Sequence, residues 1–235
     1  MTRMAHAAGT GTAGTDDAAG TDETSGTDRV SRREQRRLQH QDLSRGQLLD
    51  AAEEVFGRKG FHEATLKEVA ELAEFSVGSV YSFFTNKDDL FRQIFVRRGD
   101  EFMPGLRAVL RADGPSPVDQ LHALVDFQIG FFRQHPRFGR LFLRYSSATM
   151  SSADREIDAA TAANYEESMA LQAALFARGQ AAGVFRPGDP EVLARLFSGL
   201  MSAYQALDPA VMSDGTGERY PLADLHDLVG RAFLA

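Results

Sequence analysis

From Ser44 onward the apolar residues of the chain recur at three- and four-residue intervals, and no alternation of apolar and polar positions persists. Leu48, Ala52, Val55 and Phe56 make one face of a first helix. Ser44-x-x-Gln47 just before it has the form of a capping box, which satisfies backbone N–H groups that a helix start leaves free. Gly60-Phe61 reads as its stop, because glycine tolerates the left-handed backbone past a helix end and the next apolar residue folds back on the last turn. Thr65-x-x-Glu68 repeats the capping pattern and opens a second helix, with Val69, Leu72 and Ala73 inward. After a three-residue turn, Glu74-Phe75-Ser76, Ser76 caps a third helix whose Val80 and Phe84 join Phe75 in the core. Thr85 or Asn86 caps a fourth helix that starts at Lys87.

Beyond it the same periodicity continues. Pro117 sits in the first turn of a helix that ends before Pro136, with Leu121, Leu124, Val125, Gln128, Phe131 and Phe132 on its inward stripe. A short helix follows over 137–147, then an Ala-rich helix over 152–182 closed by Gly183. Asp189-Pro190 opens another, to about Leu207, and 222–234 form the last. The fold class is therefore all-α. The helix after Asp189 carries Val192, Leu193, Leu196, Phe197, Leu200, Met201, Tyr204 and Leu207. That stripe is wider than one packing face, so one side packs within the subunit and another on a partner. Together with Ala-rich surfaces that allow close approach, it predicts a homodimer through helices about 153–182 and 189–207.

Composition narrows the class. There is no cysteine, hence no disulfide framework or thiolate chemistry. The longest apolar runs fall far short of a membrane span, and the first residues lack the charged-then-apolar order of a signal peptide, so a cytoplasmic protein without membrane contact is expected. Residues 1–28 hold almost nothing large and apolar and are expected to be disordered. A formal G-x-G-x-x-G at Gly9, Gly11 and Gly14 has neither strand nor helix around it and is a composition accident. The six His, at 6, 40, 62, 122, 135 and 226, lack metal-ligand spacing, and no Walker loop or G-x-S-x-G is present. No catalytic residue, metal or cofactor is called. The net charge of −7 argues against a basic nucleic-acid coat, but Arg29–Arg37 hold five Arg against one Glu. That basic arm either reaches DNA or is a solvated tail.

With Val80 and Phe84 inward, the third helix turns Val77, Gly78, Ser79, Tyr81 and Ser82 outward. Small residues let a helix sink into a major groove, and hydroxyls reach base edges or phosphates. Lys87, at a helix start, suits phosphate. This is the chemistry of a helix-turn-helix reading head; the plainer alternative is a helical hairpin with solvated serines.

Ala51-Ala52, Phe56, Gly60-Phe61, Thr65, Val69-Ala70, Gly78-Ser79, Val80-Tyr81, Phe84 and Lys87 to Leu90 agree in order and spacing with one pattern. The segment resembles the DNA-binding domain of the TetR family of transcriptional regulators. Composition sets apart a disordered extension over 1–40 with its basic arm over 29–37, and the resemblance implies a helix-turn-helix domain over 41–92 and a helical ligand-binding and dimerisation domain over 93–235. It implies that Tyr81 and Lys87 contact phosphate, that Thr65 does so at a helix start, and that Lys67, Val77, Gly78 and Ser79 approach base edges. Ser76 and Ser82 complete the expected DNA-binding set. Two positions depart from the family: Glu74 stands where Gly is common in the turn, and Val77 where relatives are often polar. The expected function is a repressor released from a palindromic operator in double-stranded DNA by a small apolar or aromatic effector. The alternatives are an activator or ligand-independent regulator of the same fold, and a helical small-molecule-binding protein or enzyme with a non-functional DNA-binding domain. The C-terminal half is rich in Phe. Phe102, Leu106, Phe127, Gln128, Phe131, Phe142, Tyr145 and Met169 are expected to line the effector cavity, against the plainer reading that they are ordinary core.

Overall fold

The computed structural model describes residues 31–149, 159–212 and 219–235. Residues 1–30, including Arg29 and the segment expected to be disordered, lie outside the described residues, as does the start of the expected Ala-rich helix before 159. The described residues form ten helices: α1 Arg32–Lys59, α2 Leu66–Leu72, α3 Val77–Phe83, α4 Lys87–Leu110, α5 Pro117–Gln134, α6 Pro136–Thr149, α7 Ala159–Ala181, α8 Pro190–Leu207, α9 Pro209–Met212 and α10 Leu222–Phe233. The described residues up to Gln39 belong to one unit and those from His40 to another. In the first, Arg32, Arg33, Arg36 and Arg37 lie exposed on helix, where a disordered extension to residue 40 was expected.

Two expectations fail at α1 and α2. Ser44 caps nothing: it is buried in the middle of α1, with its hydroxyl 3.5 Å from His40 Nδ1. The working cap is Ser31, whose hydroxyl accepts the Glu34 N–H at 3.2 Å, and helix formers fill the stretch from Arg32 to Ser44. Leu72 is exposed rather than inward, because the chain leaves the helix at Ala73 and turns away from it. The other caps act as read. Thr65 and Glu68 form a full capping box, Ser76 accepts the Ser79 N–H, Asn86 rather than Thr85 caps α4, and Asp189 caps α8. The expected boundary at 92/93 falls inside the continuous helix α4.

The α2–α3 turn closes around Glu74 in the left-handed region, φ 60°. Phe75 N–H reaches the Ala70 carbonyl at 2.8 Å and Glu74 N–H the Glu71 carbonyl at 3.2 Å. That is the Schellman pattern, with Glu where glycine carries no Cβ penalty. Glu74→Gly should therefore stabilise the fold by about 1 kcal/mol, a rise in Tm of roughly 2–4 °C. Calorimetry showing a fall in Tm would mean that the Glu74 side chain contributes more than its backbone costs.

Two apolar clusters hold the unit from His40 onward. One joins α1 to α4 and α6 through residues such as Phe56, Val69, Val80, Phe84, Ile94 and Leu141. The other joins α4, α5, α7, α8 and α10 through Leu106, Leu121, Leu124, Phe176, Phe197 and Val229. Phe102 of α4 packs against both. Between α1 and α4 lies a buried charge knot. Glu53 receives Arg98 through both carboxylate oxygens, at 2.8 and 2.9 Å, and also Arg97.

Candidate nucleic-acid interface

Val80 and Phe84 fix α3 from behind, and Val69 and Ala70 do the same for α2. What remains outward on α3 is Val77, 37% exposed, Gly78, Tyr81, 56% exposed, and Ser82, with Ser79 half-buried. A Cβ built on Gly78 would meet only the Ser76 hydroxyl, at 3.7 Å. Nothing inside the subunit therefore demands glycine there. The Tyr81 hydroxyl makes no hydrogen bond among the described residues and points its chemistry outward.

The hydroxyl row is less free than its sequence suggests. Ser76 and Ser79 hydroxyls lie 2.8 Å apart, and Ser76 also accepts the Ser79 N–H at 3.0 Å. Ser82 donates its one proton to the Ser79 carbonyl at 2.6 Å. Thr65 donates to Glu68 at 3.0 Å within the capping box. Glu68 is held down at about 2 by its bonds to the Lys59 ammonium first and then to Thr65. It is a fixed anion beside the start of α2, balanced by Lys59. Lys67, well exposed, pairs loosely with Glu71 at 3.6 Å. Lys87 donates to the carbonyls of Ala64 at 3.0 Å and His62 at 3.3 Å and lies 4.5 Å from the Phe61 ring centre. Two of its three protons are thus directed at the α1–α2 loop.

The expected effector residues do not meet around an open space. Phe102 lies 5.0 Å, centre to centre, from both Phe127 and Phe131. Phe142 packs on Phe132 at 5.1 Å, Leu106 is fully buried and Gln128 nearly so. The rings of Phe102, Phe127 and Phe131 pack on one another, with Phe102, Phe127 and Phe142 still partly exposed. Tyr145 faces the other way, with its hydroxyl accepting the Phe61 N–H. Met169 lies apart from the rings, with Tyr165, Ala170 and Arg195 in an open cleft of about 210 Å³ on the outer side of α7 and α8. A second open cleft, about 340 Å³, lies beside Arg45, Gln93 and Arg97.

Other groupings were not read from the sequence. His122 and His226 meet at 2.7 Å between Nδ1 atoms, and His226 Nε2 bonds Asp126 at 2.8 Å. The histidines are not all scattered, yet among the described residues no group of three has the arrangement to hold a metal ion. Arg107 forks onto Glu167 at 2.8 and 2.6 Å, tying α4 to α7. The Gln205 side-chain oxygen is buried without a hydrogen-bond partner among the described residues. The His122–Asp126 spacing was the sole local signal for any of these. No described helix is long and apolar enough to cross a membrane.

Comparison with known proteins bears on both the N-terminal and the C-terminal helices. Residues 48–94 match the model of the bacterial regulatory proteins, tetR family, and residues 114–205 match a tetracyclin repressor-like C-terminal domain. The HTH-type transcriptional activator FasR of Mycolicibacterium smegmatis is 32% identical over 122 residues, 52% of this chain and 55% of that protein. The uncharacterized HTH-type transcriptional regulator YfiR of Bacillus subtilis is 42% identical over 69 residues, 29% of this chain and 32% of that protein. The chain thus spans between a third and somewhat over half of these curated relatives. In fold it is similar to AibR, solved in complex with isovaleryl coenzyme A and operator DNA, with TM-score 0.66 at 19% identity over 80% of this chain and 97% of that one.

Proposed function

This chain belongs to the TetR family of bacterial regulatory proteins, and from that premise we propose that it is a homodimeric repressor that reads a palindromic operator in double-stranded DNA and is released by a small apolar or aromatic effector. The observation that carries the reading is the outer face of α3, where Val77, Gly78 and Tyr81 lie open while Val80 and Phe84 anchor the helix. A helix whose first turn carries only small residues outward, with Tyr81 a turn further on, can approach the floor of a major groove. Val77 offers apolar contact to a thymine methyl, and Ser79 and Lys67 reach toward base edges. Tyr81 donates its unused proton to a phosphate, and Lys87 does so with its third. Thr65, Ser76 and Ser82 contact DNA through their lone pairs or by redirecting a proton now used internally.

The dimer is supported by a stripe on α8, Val192, Leu196, Gly199, Ala203 and Leu207, all exposed, beside exposed Ala170, Ala174 and Ala177 on α7. Small residues flanked by large apolar ones suit close helix approach. Met201, also on that wide apolar stripe, is buried in its own subunit. The effector class is supported by the apolar, ring-filled interior around Phe102, Phe127 and Phe131, which must open to admit a guest. The isovaleryl group of the isovaleryl coenzyme A found with AibR, a neighbour in fold, is small and apolar, although the coenzyme A it is joined to is large and anionic. A cytoplasmic protein without a cofactor suffices for this role. Activation is a second reading, favoured by the name of the relative FasR. Deleting the regulator raises expression from the operator in one case and lowers it in the other.

Selection of duplexes from a random pool should enrich two half-sites about 34–36 Å apart. Gly78→Ala should weaken binding to that duplex roughly tenfold, while stability stays level or rises by up to about 1 kcal/mol, since alanine is the better helix former. Opposite signs in anisotropy and calorimetry separate an interface effect from a folding defect. Wild-type affinity in Gly78→Ala would remove α3 from the groove.

A further inference from the structure

Thr65 caps α2, so whatever fixes Phe61–Ala64 fixes where the α2–α3 pair begins. That loop is held from two sides. From α4, Lys87 takes the His62 and Ala64 carbonyls. From α6, Tyr145 accepts the Phe61 N–H, and its ring meets Phe91 edge-on at 5.1 Å, which meets Phe61 in turn at 5.0 Å. Gly60, at φ +82°, sits in the backbone region that favours glycine, and a Cβ there would also push against the Arg144 guanidinium, 2.7 Å away. The start of α6 is fastened to α1, where Arg137 pairs with Glu54 at 2.6 Å and its carbonyl lies against Gly57.

Phe142 and Phe138 lie one and two turns before Tyr145 on the same stripe of α6. They pack on Phe132 at 5.1 and 6.0 Å. One stripe thus runs from the aromatic interior to the loop that opens the DNA head. A helix is stiff along its axis, so a displacement felt at Phe138 arrives at Tyr145, about 10 Å on at 1.5 Å per residue. A hydrogen bond is lost when donor and acceptor part by a fraction of that distance.

We infer that Tyr145 is a positioning residue, the relay through which α6 couples the aromatic interior to the DNA head by way of the Phe61 amide. The inference rests on the reading of the chain as an operator-binding regulator. Coupling is reciprocal, so DNA that fixes the head must also bias α6. This makes the relay testable without knowing the effector.

The experiment is hydrogen exchange on the full chain, with and without the duplex that wild type selects from a random pool. Tyr145→Phe keeps the ring against Phe91 and removes the acceptor. In the free protein this variant should exchange its Phe61 amide roughly tenfold faster. In wild type, duplex should slow exchange over 136–145. In Tyr145→Phe, duplex should bind within about threefold of wild type while the response over 136–145 disappears. Arg137→Gln, which loosens α6 at its other end, should keep that response. An equal response over 136–145 in wild type and Tyr145→Phe overturns the relay, as does no response in wild type. If Tyr145→Phe fails to fold, the wild-type response at Phe61 and over 136–145 decides alone. If wild type enriches no duplex, the regulator reading fails first and the relay falls with it.

Discussion

Replacing Glu53 with Gln should cost the fold about 3–5 kcal/mol, a large part of what a protein of this size has to lose. The side chain is 2% exposed and carries the charge that Arg98 and Arg97 share between α1 and α4. Arg97 has further acceptors in Asp50 at 2.8 Å and the Gly46 carbonyl at 3.3 Å, and Arg98 has Glu101 at 2.6 Å. These lie toward the rim, and none replaces a carboxylate that accepts both arms of a guanidinium. Gln keeps the volume and one acceptor but leaves two half-buried cations undercompensated. The urea midpoint should fall by more than about 1 M with little change in slope. The pair itself is not expected to be a net source of stability, since removing buried charges together is often neutral. Glu53→Leu combined with Arg98→Leu should accordingly recover part of the loss. A change below about 1 kcal/mol for Glu53→Gln would mean that water already shares these charges.

Leu196→Asp should turn the dimer into monomers and lower operator affinity by about a hundredfold or more. A monomer grips one half-site and forfeits the effective concentration that delivers the second. Leu196 is 59% exposed in the subunit, so the substitution costs little in the fold of each monomer. In the proposed dimer it would place a carboxylate among Val192, Ala203 and Leu207, where the burial of its charge is costly even with exposed Arg195 beside it. Sedimentation at micromolar concentration checks the first part and anisotropy with the selected duplex the second. A Leu196→Asp protein that still sediments as a dimer would move the interface off α8. Met201→Asp is the contrasting variant. Its side chain is buried among Phe197 and its neighbours, so it should unfold the subunit rather than divide the dimer.

Most of what could be read in advance was local. Thr65, Ser76 and Asp189 announce helix starts because a cap needs only its own next three residues. Gly60 and Gly183 announce stops because their positive φ excludes other residues at low cost. Ser44 shows where local signals mislead. Ser44-x-x-Gln47 and Ser31-x-x-Glu34 are equally good capping patterns, and the helix formers between them decide for the earlier one. The outer face of α3 was also legible, since helical periodicity fixes which side Val80 and Phe84 leave free.

The sequence alone determined most of the helices, their order, the outward face of α3 and the broad apolar character of the C-terminal half, because each depends on residues a few positions apart. Only the tertiary structure decided which aromatics close on one another and which hydroxyls are already engaged. It also decided that Tyr145 serves the Phe61 amide 84 residues away and that His122 meets His226 across 104. Periodicity tells a side chain which way to point from its own helix. It says nothing about which helix arrives to meet it, and that is set by how the whole set of apolar faces packs to close density.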